Sequence, residues 1–163
     1  RTNKKSIKHL KKNGINIYCG ILANKTNDLN RFFFHSLQYK RPYVKVKLAV
    51  SKDEKIAKSN YKSKWISNSL SRNFAHDLRF VSQAILTTSK TIIKDNPKLT
   101  VRKKFKTIKY LPTIIIDSSL KIPLDTKILK DISKKKIIIF TTLNTEKSRI
   151  LKRLGCEVIL MKK

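Results

Sequence analysis

Several residue types that would signal other protein classes are scarce in this chain of 163 residues. Glycine occurs three times, so the sequence has no Gly-rich loop of the kind that cradles phosphates. The two cysteines, Cys19 and Cys156, lie far apart and outside any CxxC or Cys/His spacing, which argues against a metal site and favours a reducing, cytoplasmic compartment. No apolar run reaches membrane-spanning length, and the N-terminal residues show no signal-peptide pattern.

Acidic residues are also few, with 10 against 39 basic ones and a formal net charge of +29. Such a charge is typical of nucleic-acid-binding proteins. However, only eight of the basic residues are Arg, which reads bases bidentately, and the charge is spread over the whole chain. Abundant Lys, Ile and Asn indicate an AT-rich codon bias and a solvated Lys surface. We therefore expect no nucleic-acid partner, although the charge would attract small anionic ligands.

The N-terminal part alternates predicted helices with a predicted strand. Segment 4–13 has helical spacing, and Asn13-Gly14 is typical of a helix end. The alternation in INIYC (15–19) predicts a strand. Segment 27–39 has Leu and Phe along one face, which predicts a second helix.

The middle of the chain predicts a strand, a helix and a short strand. Arg41-Pro42 marks a boundary, and YVKVKLAV (43–50) alternates Val and Leu with Lys. A helix is predicted from a cap at Asn68 or Ser69 to about Val81. Its expected buried stripe is Leu70, Phe74, Leu78 and Val81. Segment 84–88 then predicts a short buried strand, followed by a helical turn over 91–94.

The C-terminal part predicts a strand–helix–strand pattern. The almost wholly apolar run 113–117 is typical of a strand in a sheet that is covered on both faces. A strand at 134–140, a helix at 145–154 and a strand at 156–161 follow, with Gly155 suited to the helix C-cap. This alternation predicts an α/β fold with a mainly parallel sheet flanked by helices.

Spaced motifs carry a resemblance to a known family. RPYVKVKLAVSKDEKIA, KSKWIS and HDLRFVSQAILTTSKTIIKDNPKLTVR lie in order between Arg41 and Arg102. They resemble the opening half of the reductase module of the bifunctional riboflavin-biosynthesis deaminase–reductase family. The resemblance implies a dihydrofolate reductase-like fold that is C-terminally incomplete, spanning residues 40–163. Residues 1–39 resemble the last elements of the deaminase module and a linker, although the zinc motifs His-x-Glu and Pro-Cys-x-x-Cys do not occur.

The resemblance also implies an activity. The family's reductase uses NADPH to reduce the ribosyl group of 5-amino-6-(5-phosphoribosylamino)uracil to a ribityl group. A homodimer or a separate deaminase chain would be the protein partner. Two alternatives remain open: a basic RNA- or ribosome-associated protein, and a reductase fragment that has lost its activity.

Matching the family's motifs residue by residue gives the candidate site. Lys47 and Asp95 are the expected catalytic residues, near the ribose. The implied cofactor contacts are Val50, Trp65, Thr91, Asp95 and Ser118. The implied substrate contacts are Ser63, Arg79, Leu99 and Arg102, with Arg suited to phosphate because its planar fork binds two oxygens. From the residues alone, Asp95 before Asn96-Pro97 is equally typical of a turn.

Two departures from the family's pattern concern turns. Tyr61-Lys62-Ser63 stands where the family has Gly-Glu-Ser, and Glu54 follows Asp53 where the family has Gly. Glycine adopts positive φ freely, whereas Glu does not. We therefore expect both turns to differ from those of the family, with Lys47, Ser63, Trp65, Thr91, Asp95 and Ser118 converging at the carboxyl ends of the strands.

Overall fold

The computed structural model describes residues 4–57, 66–103 and 106–162, with the backbone only at residue 107. Its contacts divide the chain into two compact units, Arg1–Lys47 and Leu48–Lys163. The sequence prediction placed a boundary after residue 39 on the basis of family resemblance, and that assignment of the first segment to a deaminase module stays a prediction.

Helices make up the regular structure of the first unit. They are α1 (Lys5–Lys12), α2 (Ala23–Leu29) and α3 (Arg31–Tyr39). The prediction of a helix over 4–13 is confirmed, but the single helix expected over 27–39 is wrong. The chain breaks at Asn30, whose side-chain amide donates to the carbonyl of Thr26 at 3.0 Å and so ends α2. The strand expected at 15–19 does not form, and its residues have no strand partner within the described part of the chain.

The described residues of the second unit form six strands and four helices. The strands are β1 (Ile85–Thr88), β2 (Val101–Lys103), β3 (Lys106–Lys109), β4 (Thr113–Ile116), β5 (Ile137–Thr141) and β6 (Glu157–Leu160). The helices are α4 (Ser69–Phe80), α5 (Ser89–Asp95), α6 (Lys127–Lys130) and α7 (Glu146–Arg153), with a 3₁₀ turn at Ile132–Lys134. Asn68 caps α4 as predicted, because its side-chain oxygen accepts from the backbone N–H of Ser71 at 2.8 Å.

The main sheet is parallel and has the order β1-β4-β5-β6. Each strand pairs with the strand of this sheet that follows it in the chain, so right-handed crossovers place α5, α6 and α7 on one face. The core confirms this arrangement, since Ile92 of α5, Ile128 of α6 and Leu151 of α7 all pack in one buried cluster. The predicted α/β class with a mainly parallel sheet is confirmed.

One face of this sheet is buried and the other is open. Ile115, Ile137 and Ile139 are fully buried beneath the helices. The alternate residues form the open face, defined here as Leu86, Ile114, Ile116, Ile138, Phe140 and Ile159. Leu86 is 65% exposed and the others are half-buried. The expectation of a sheet covered on both faces is therefore not met among the described residues, and β1 is not a buried strand.

Two predictions made from apolar patterns are wrong. Helix α4 forms where expected, but its stripe is not buried: Leu70 is 76% exposed and Phe74 is 61% exposed. The expected strand 43–50 is extended but pairs with no strand of the described chain, and Val46 is 80% exposed. An alternating pattern forms a strand only where a neighbour supplies hydrogen bonds and an apolar surface, and segment 43–50 has no such neighbour among the described residues.

An antiparallel hairpin, β2–β3, lies between α5 and β4. From the basic sequence of this region, we predict only that part of it is a loop. The hairpin sits at the amino ends of the main strands, because Lys109 lies four residues before Thr113 and its ammonium donates to the carbonyls of Phe80 at 2.8 Å and Ser82 at 3.3 Å. Helix α4 packs against β2, and this contact brings Arg79 and His76 close to Arg102.

Candidate substrate-phosphate and cofactor site

Three basic side chains meet where α4 packs on β2. Arg79, in the last turn of α4, donates from Nη1 to the backbone carbonyl of Thr100 at 3.4 Å. His76, three residues earlier on the helix, accepts at Nδ1 from the backbone N–H of Arg102 at 3.1 Å. Arg79 and Arg102 lie 23 positions apart in sequence. The fold brings these two residues, both predicted to contact the substrate, close enough for their charges to interact.

The electrostatics of this basic cluster favour a bound anion. Burial lowers the pKa of Arg79, and the neighbouring charge of Arg102 lowers it further. Burial also lowers the pKa of His76, with Arg79 and Arg102 adding to the effect and Asp77 opposing it. Two guanidinium groups held this close repel each other, and an anion such as a phosphate relieves the repulsion while accepting from both.

The segment between α5 and β2 is bent by two residues with positive φ. Asn96 has a φ of 41° and Leu99 a φ of 50°, values that cost a non-Gly residue conformational energy. The side-chain oxygen of Asn96 accepts from the backbone N–H of Lys127 at 2.9 Å, which ties the end of α5 to the start of α6. Leu99, a predicted substrate contact, is half-buried and packs against the core. Strained backbone of this kind is typical of functional sites.

Thr91 and Asp95 lie one helical turn apart on α5, so they share one side of that helix. The helix begins directly after β1, which places Thr91 near the carboxyl ends of the strands. Asp95 is the last residue of α5 and is exposed. The sequence placed both residues on this connection, as the structure does, although the helix leads Asp95 away from the strand ends.

Ser118 lies at the carboxyl end of β4, as predicted, and is exposed. Its backbone carbonyl accepts from the hydroxyls of Thr141 at 3.0 Å and Thr142 at 3.1 Å. Just before it, the buried carboxylate of Asp117 accepts from the backbone N–H groups of Lys121 and Ile122, each at 2.9 Å. These bonds fix a hydroxyl-rich edge at which ligands of parallel α/β sheets bind.

Of the residues predicted to converge, Thr91 and Ser118 lie near the carboxyl ends of the strands, and the convergence with Lys47, Ser63 and Trp65 stays a prediction. Ser118 lies at the carboxyl ends of the strands, whereas Arg102 lies on the hairpin at the amino ends. Thr91 and Asp95 lie along the helix between these two regions.

The remaining predicted residues lie in the segment before α4. Ser63 and Trp65 fall outside the described residues, so their predicted roles stay predictions. Lys47 is exposed and is the last residue of the first unit, and Val50 is 46% exposed. Close by, Ser51 donates to the carboxylate of Asp53 at 2.6 Å and Glu54 has a φ of 62°. Glu54 thus has a left-handed backbone conformation that Gly adopts freely, and it does so at some conformational cost, whereas the predicted difference from the family's turn stays a prediction.

Sequence reasoning missed two features of the site region. It treated His76 as a helix-face residue, whereas the imidazole accepts a long-range hydrogen bond from Arg102. It assigned no role to Lys135, which is buried and donates to the carbonyl of Lys98 at 2.6 Å. The HDLR spacing of His76 and Arg79, which puts both on one face of a helix, could have pointed to the former.

Within the described ranges, no three His, Cys, Asp or Glu side chains are grouped so as to hold a metal ion. The helices described here are also all too short or too polar to cross a membrane. These observations leave the basic cluster and the hydroxyl-rich edge as the chemically distinctive features of the second unit.

Comparisons with known proteins agree with this geometry. The model of the family described as "RibD C-terminal domain" matches residues 42–162. The chain is 36% identical over 164 residues to the riboflavin biosynthesis protein RibD of Aquifex aeolicus, covering 97% of this chain and 44% of that protein. It is 32% identical to RibD of Actinobacillus pleuropneumoniae, covering 94% of this chain and 40% of that protein.

Solved structures are similar over most of the chain. A diaminohydroxyphosphoribosylaminopyrimidine deaminase/5-amino-6-(5-phosphoribosylamino)uracil reductase from Thermotoga maritima has a TM-score of 0.77 at 27% identity, covering 95% of this chain and 42% of that one. RibD from Acinetobacter baumannii also has a TM-score of 0.77 at 27% identity, covering 98% and 44%.

The chain spans less than half the length of these relatives. The extent of the family match and the similarity of fold nevertheless agree on one assignment. The chain belongs to the RibD C-terminal domain family, the reductase module of riboflavin biosynthesis.

Proposed function

We propose that this chain supplies part of an NADPH-dependent reductase that converts the ribosyl group of 5-amino-6-(5-phosphoribosylamino)uracil to a ribityl group. The observation that carries the proposal is the meeting of Arg79 and Arg102 on α4 and β2. A phosphorylated riboside requires such a cluster, because paired guanidinium groups bind phosphate oxygens bidentately. The Thermotoga maritima relative, which is described as a reductase of this phosphoribosyl compound, supports the same substrate.

In this proposal, Arg79 and Arg102 hold the phosphate and Leu99 packs against the substrate. Ser63 would contact the same ligand. Binding the phosphate at the hairpin fixes the distance from that end to the ribose carbon that is reduced. The binding free energy of the remote phosphate is thereby used to orient the reacting carbon.

NADPH fits the other side of the proposed site by its chemistry. The exposed hydroxyl of Ser118 lies at the carboxyl edge, where dinucleotides bind α/β sheets. Val50, Trp65, Thr91 and Asp95 would complete the cofactor contacts, and NADPH, when bound, supplies the hydride. Lys47 and Asp95 would hold the ribose and move a proton at its ring oxygen or at the nitrogen of the opened form.

The partners of this reductase are part of the proposal. The zinc motifs of the deaminase do not occur in the sequence, so the deamination step requires another module or a separate chain. In this proposal the reductase is a homodimer and acts in the cytoplasm. No nucleic acid or membrane takes part in it.

The proposal is tested by following NADPH oxidation with the phosphorylated riboside and with its dephosphorylated form. We expect Arg79→Ala to raise KM for the phosphorylated compound more than for the other, with Lys103→Ala, an exposed neighbour on β2, as the matched control. Equal turnover of both compounds by the unaltered protein would contradict the proposal, as would a rise in KM in Arg79→Ala that is equal for the two compounds.

A further inference from the structure

Lys135 is a buried cation that the proposed reaction does not use. It lies in the run Lys134–Lys136, just before β5, and is 7% exposed. Its two neighbours face solvent: the ammonium of Lys134 lies 5.6 Å from the ring of Tyr110, and that of Lys136 lies 2.6 Å from the carboxylate of Glu157. Only the middle lysine of the three is turned inward, so its burial needs an explanation of its own.

The buried ammonium binds the backbone of the segment that leads to the basic cluster. Nζ of Lys135 donates to the carbonyl of Lys98 at 2.6 Å. Two residues further on, the carbonyl of Thr100 accepts from Arg79 at 3.4 Å. Two residues beyond that, the N–H of Arg102 donates to His76 at 3.1 Å. One short stretch of backbone thus carries three contacts, and Lys135 makes the first of them.

Burying the ammonium of Lys135 costs free energy, so its contact with Lys98 is expected to have a role. Burial lowers the pKa of Lys135 to about 8, and the carboxylate of Asp131 opposes that shift. Asp131 supplies the charge that acts on its pKa, Lys98 contacts it through a backbone carbonyl, and Lys134 and Lys136 face solvent. A buried ammonium is destabilising unless it makes specific hydrogen bonds, and the one to Lys98 fixes a backbone that already contains the positive φ of Leu99.

We propose that Lys135 is a positioning residue for the phosphate site, holding residues 98–102 so that Arg102 and the carbonyl that receives Arg79 stay in place. The inference rests on the proposed role of Arg79 and Arg102 in binding phosphate. It adds a residue that touches no substrate and that acts through the backbone of Lys98. It also predicts that the affinity of the site for phosphate changes at alkaline pH, which the two arginines by themselves would not cause.

The test uses ribose 5-phosphate as the probe and ribose as its unphosphorylated control, with affinities measured by calorimetry. Three variants are compared with the unaltered chain: Lys135→Met, which removes the charge, Lys135→Arg, which keeps a cation that does not titrate, and the solvent-facing control Lys134→Met. The carbonyl carbon NMR signals of Lys98 and Thr100 are followed from about pH 7 to about pH 9.5 without ligand. These signals report the backbone directly and do not depend on binding.

We expect Lys135→Met to weaken ribose 5-phosphate binding by about tenfold, with ribose binding unchanged and Lys134→Met like the unaltered chain. In the unaltered chain, the affinity for ribose 5-phosphate and both carbonyl signals should change together as the pH passes the pKa of Lys135. That step should disappear in Lys135→Met and Lys135→Arg, and Lys135→Arg should recover most of the affinity. A merely structural lysine would lower stability in Lys135→Met without a pH step in affinity.

Two results would overturn the inference: carbonyl signals that stay constant over this pH range in the unaltered chain, or Lys135→Met binding ribose 5-phosphate as tightly as the unaltered chain. Failure of the proposed function looks different. In that case the unaltered chain binds ribose and ribose 5-phosphate equally, while a pH step in the carbonyl signals that Lys135→Met abolishes still supports the hold of Lys135 on residue 98.

Discussion

The backbone N–H of Arg102 donates a hydrogen bond to Nδ1 of His76 across 26 positions of sequence, at 3.1 Å. Because Nδ1 accepts this bond, the imidazole is neutral and carries its proton on Nε2. The bond joins α4 to β2 and places two charged guanidinium groups beside a titratable ring. Protonation of His76 would therefore remove an acceptor and add a third positive charge to the basic cluster.

This bond predicts a loss of stability at low pH. Burial and the nearby arginines lower the pKa of His76 in the folded chain, so the unfolded chain binds the proton first as the pH falls. The contribution is complete above the unfolded pKa of about 6.5 and decreases as the pH falls towards the lower folded pKa. His76→Asn keeps an acceptor without a titrating group, so its free energy of unfolding should fall less over this pH range.

Urea unfolding between about pH 5 and about pH 8 measures the effect. His9→Asn, at an exposed position on α1, serves as the control and should follow the unaltered chain. An identical pH profile for His76→Asn and the unaltered chain would contradict the prediction.

Asp117 should contribute strongly to stability. Its buried carboxylate accepts from the backbone N–H groups of Lys121 and Ile122, and Asp117→Ala would leave both donors without this acceptor, that of Ile122 in a buried position. We expect a loss of about 3 kcal/mol in the free energy of unfolding. Asp125→Ala, at an exposed position in the same connection, should cost less than about 0.5 kcal/mol. Equal losses for the two variants by urea unfolding would show that the Asp117 bonds are not stabilising.

Glu54 predicts a stabilising substitution. Its φ of 62° is unfavourable for a residue with a side chain, and its N–H donates to the carbonyl of Ser51 at 2.9 Å, so the turn must keep this conformation. Glu54→Gly should stabilise the turn by roughly 0.5–1 kcal/mol, the strain removed less the greater entropy of Gly in the unfolded chain. Glu54→Ala is the control, since it removes the charge and keeps the strain. If both variants raise the melting temperature equally, charge rather than backbone strain is the cause.

The open face of the sheet should bind apolar dyes. Leu86 is 65% exposed beside the half-buried Ile114 and Ile138 of the same face. Leu86→Thr should reduce the fluorescence of anilinonaphthalene sulfonate, because it removes apolar surface. Its stability should change by less than about 0.5 kcal/mol, since an exposed side chain contributes little packing. Ile108→Thr, at an exposed position on β3, should leave the dye signal unchanged, and a fall as large as that of Leu86→Thr would argue against the open face as the binding surface.

Local signals predicted much of the second unit from sequence. Asn68 caps α4, Gly155 follows α7 with a φ of 102°, and apolar runs give β4 and β5. The pairing and burial of the other elements depend on tertiary contacts. Segment 43–50 has a strand pattern but no pairing neighbour among the described residues, and Leu70 and Phe74 of α4 stay exposed although the helix packs against β2. Local pattern specifies an element, whereas burial depends on what lies beside it.

The candidate site could likewise be predicted from the sequence only in part. Family motifs pointed to Arg79 and Arg102, which the fold brings together. No sequence pattern distinguishes the buried Lys135 from its exposed neighbours Lys134 and Lys136, because a hydrogen bond across 37 positions selects it. The acceptor role of His76 is likewise set by a distant backbone group.

The most direct test of the central claim is calorimetric binding of 5-amino-6-(5-phosphoribosylamino)uracil and its dephosphorylated riboside to the chain. Arg79→Ala and Arg102→Ala should each weaken the phosphorylated compound by roughly 1.5–3 kcal/mol, which is about tenfold or more, and leave the riboside nearly unchanged. Lys103→Ala should have little effect on either compound. Equal losses of affinity for the phosphorylated and dephosphorylated compounds would contradict a phosphate site formed by Arg79 and Arg102.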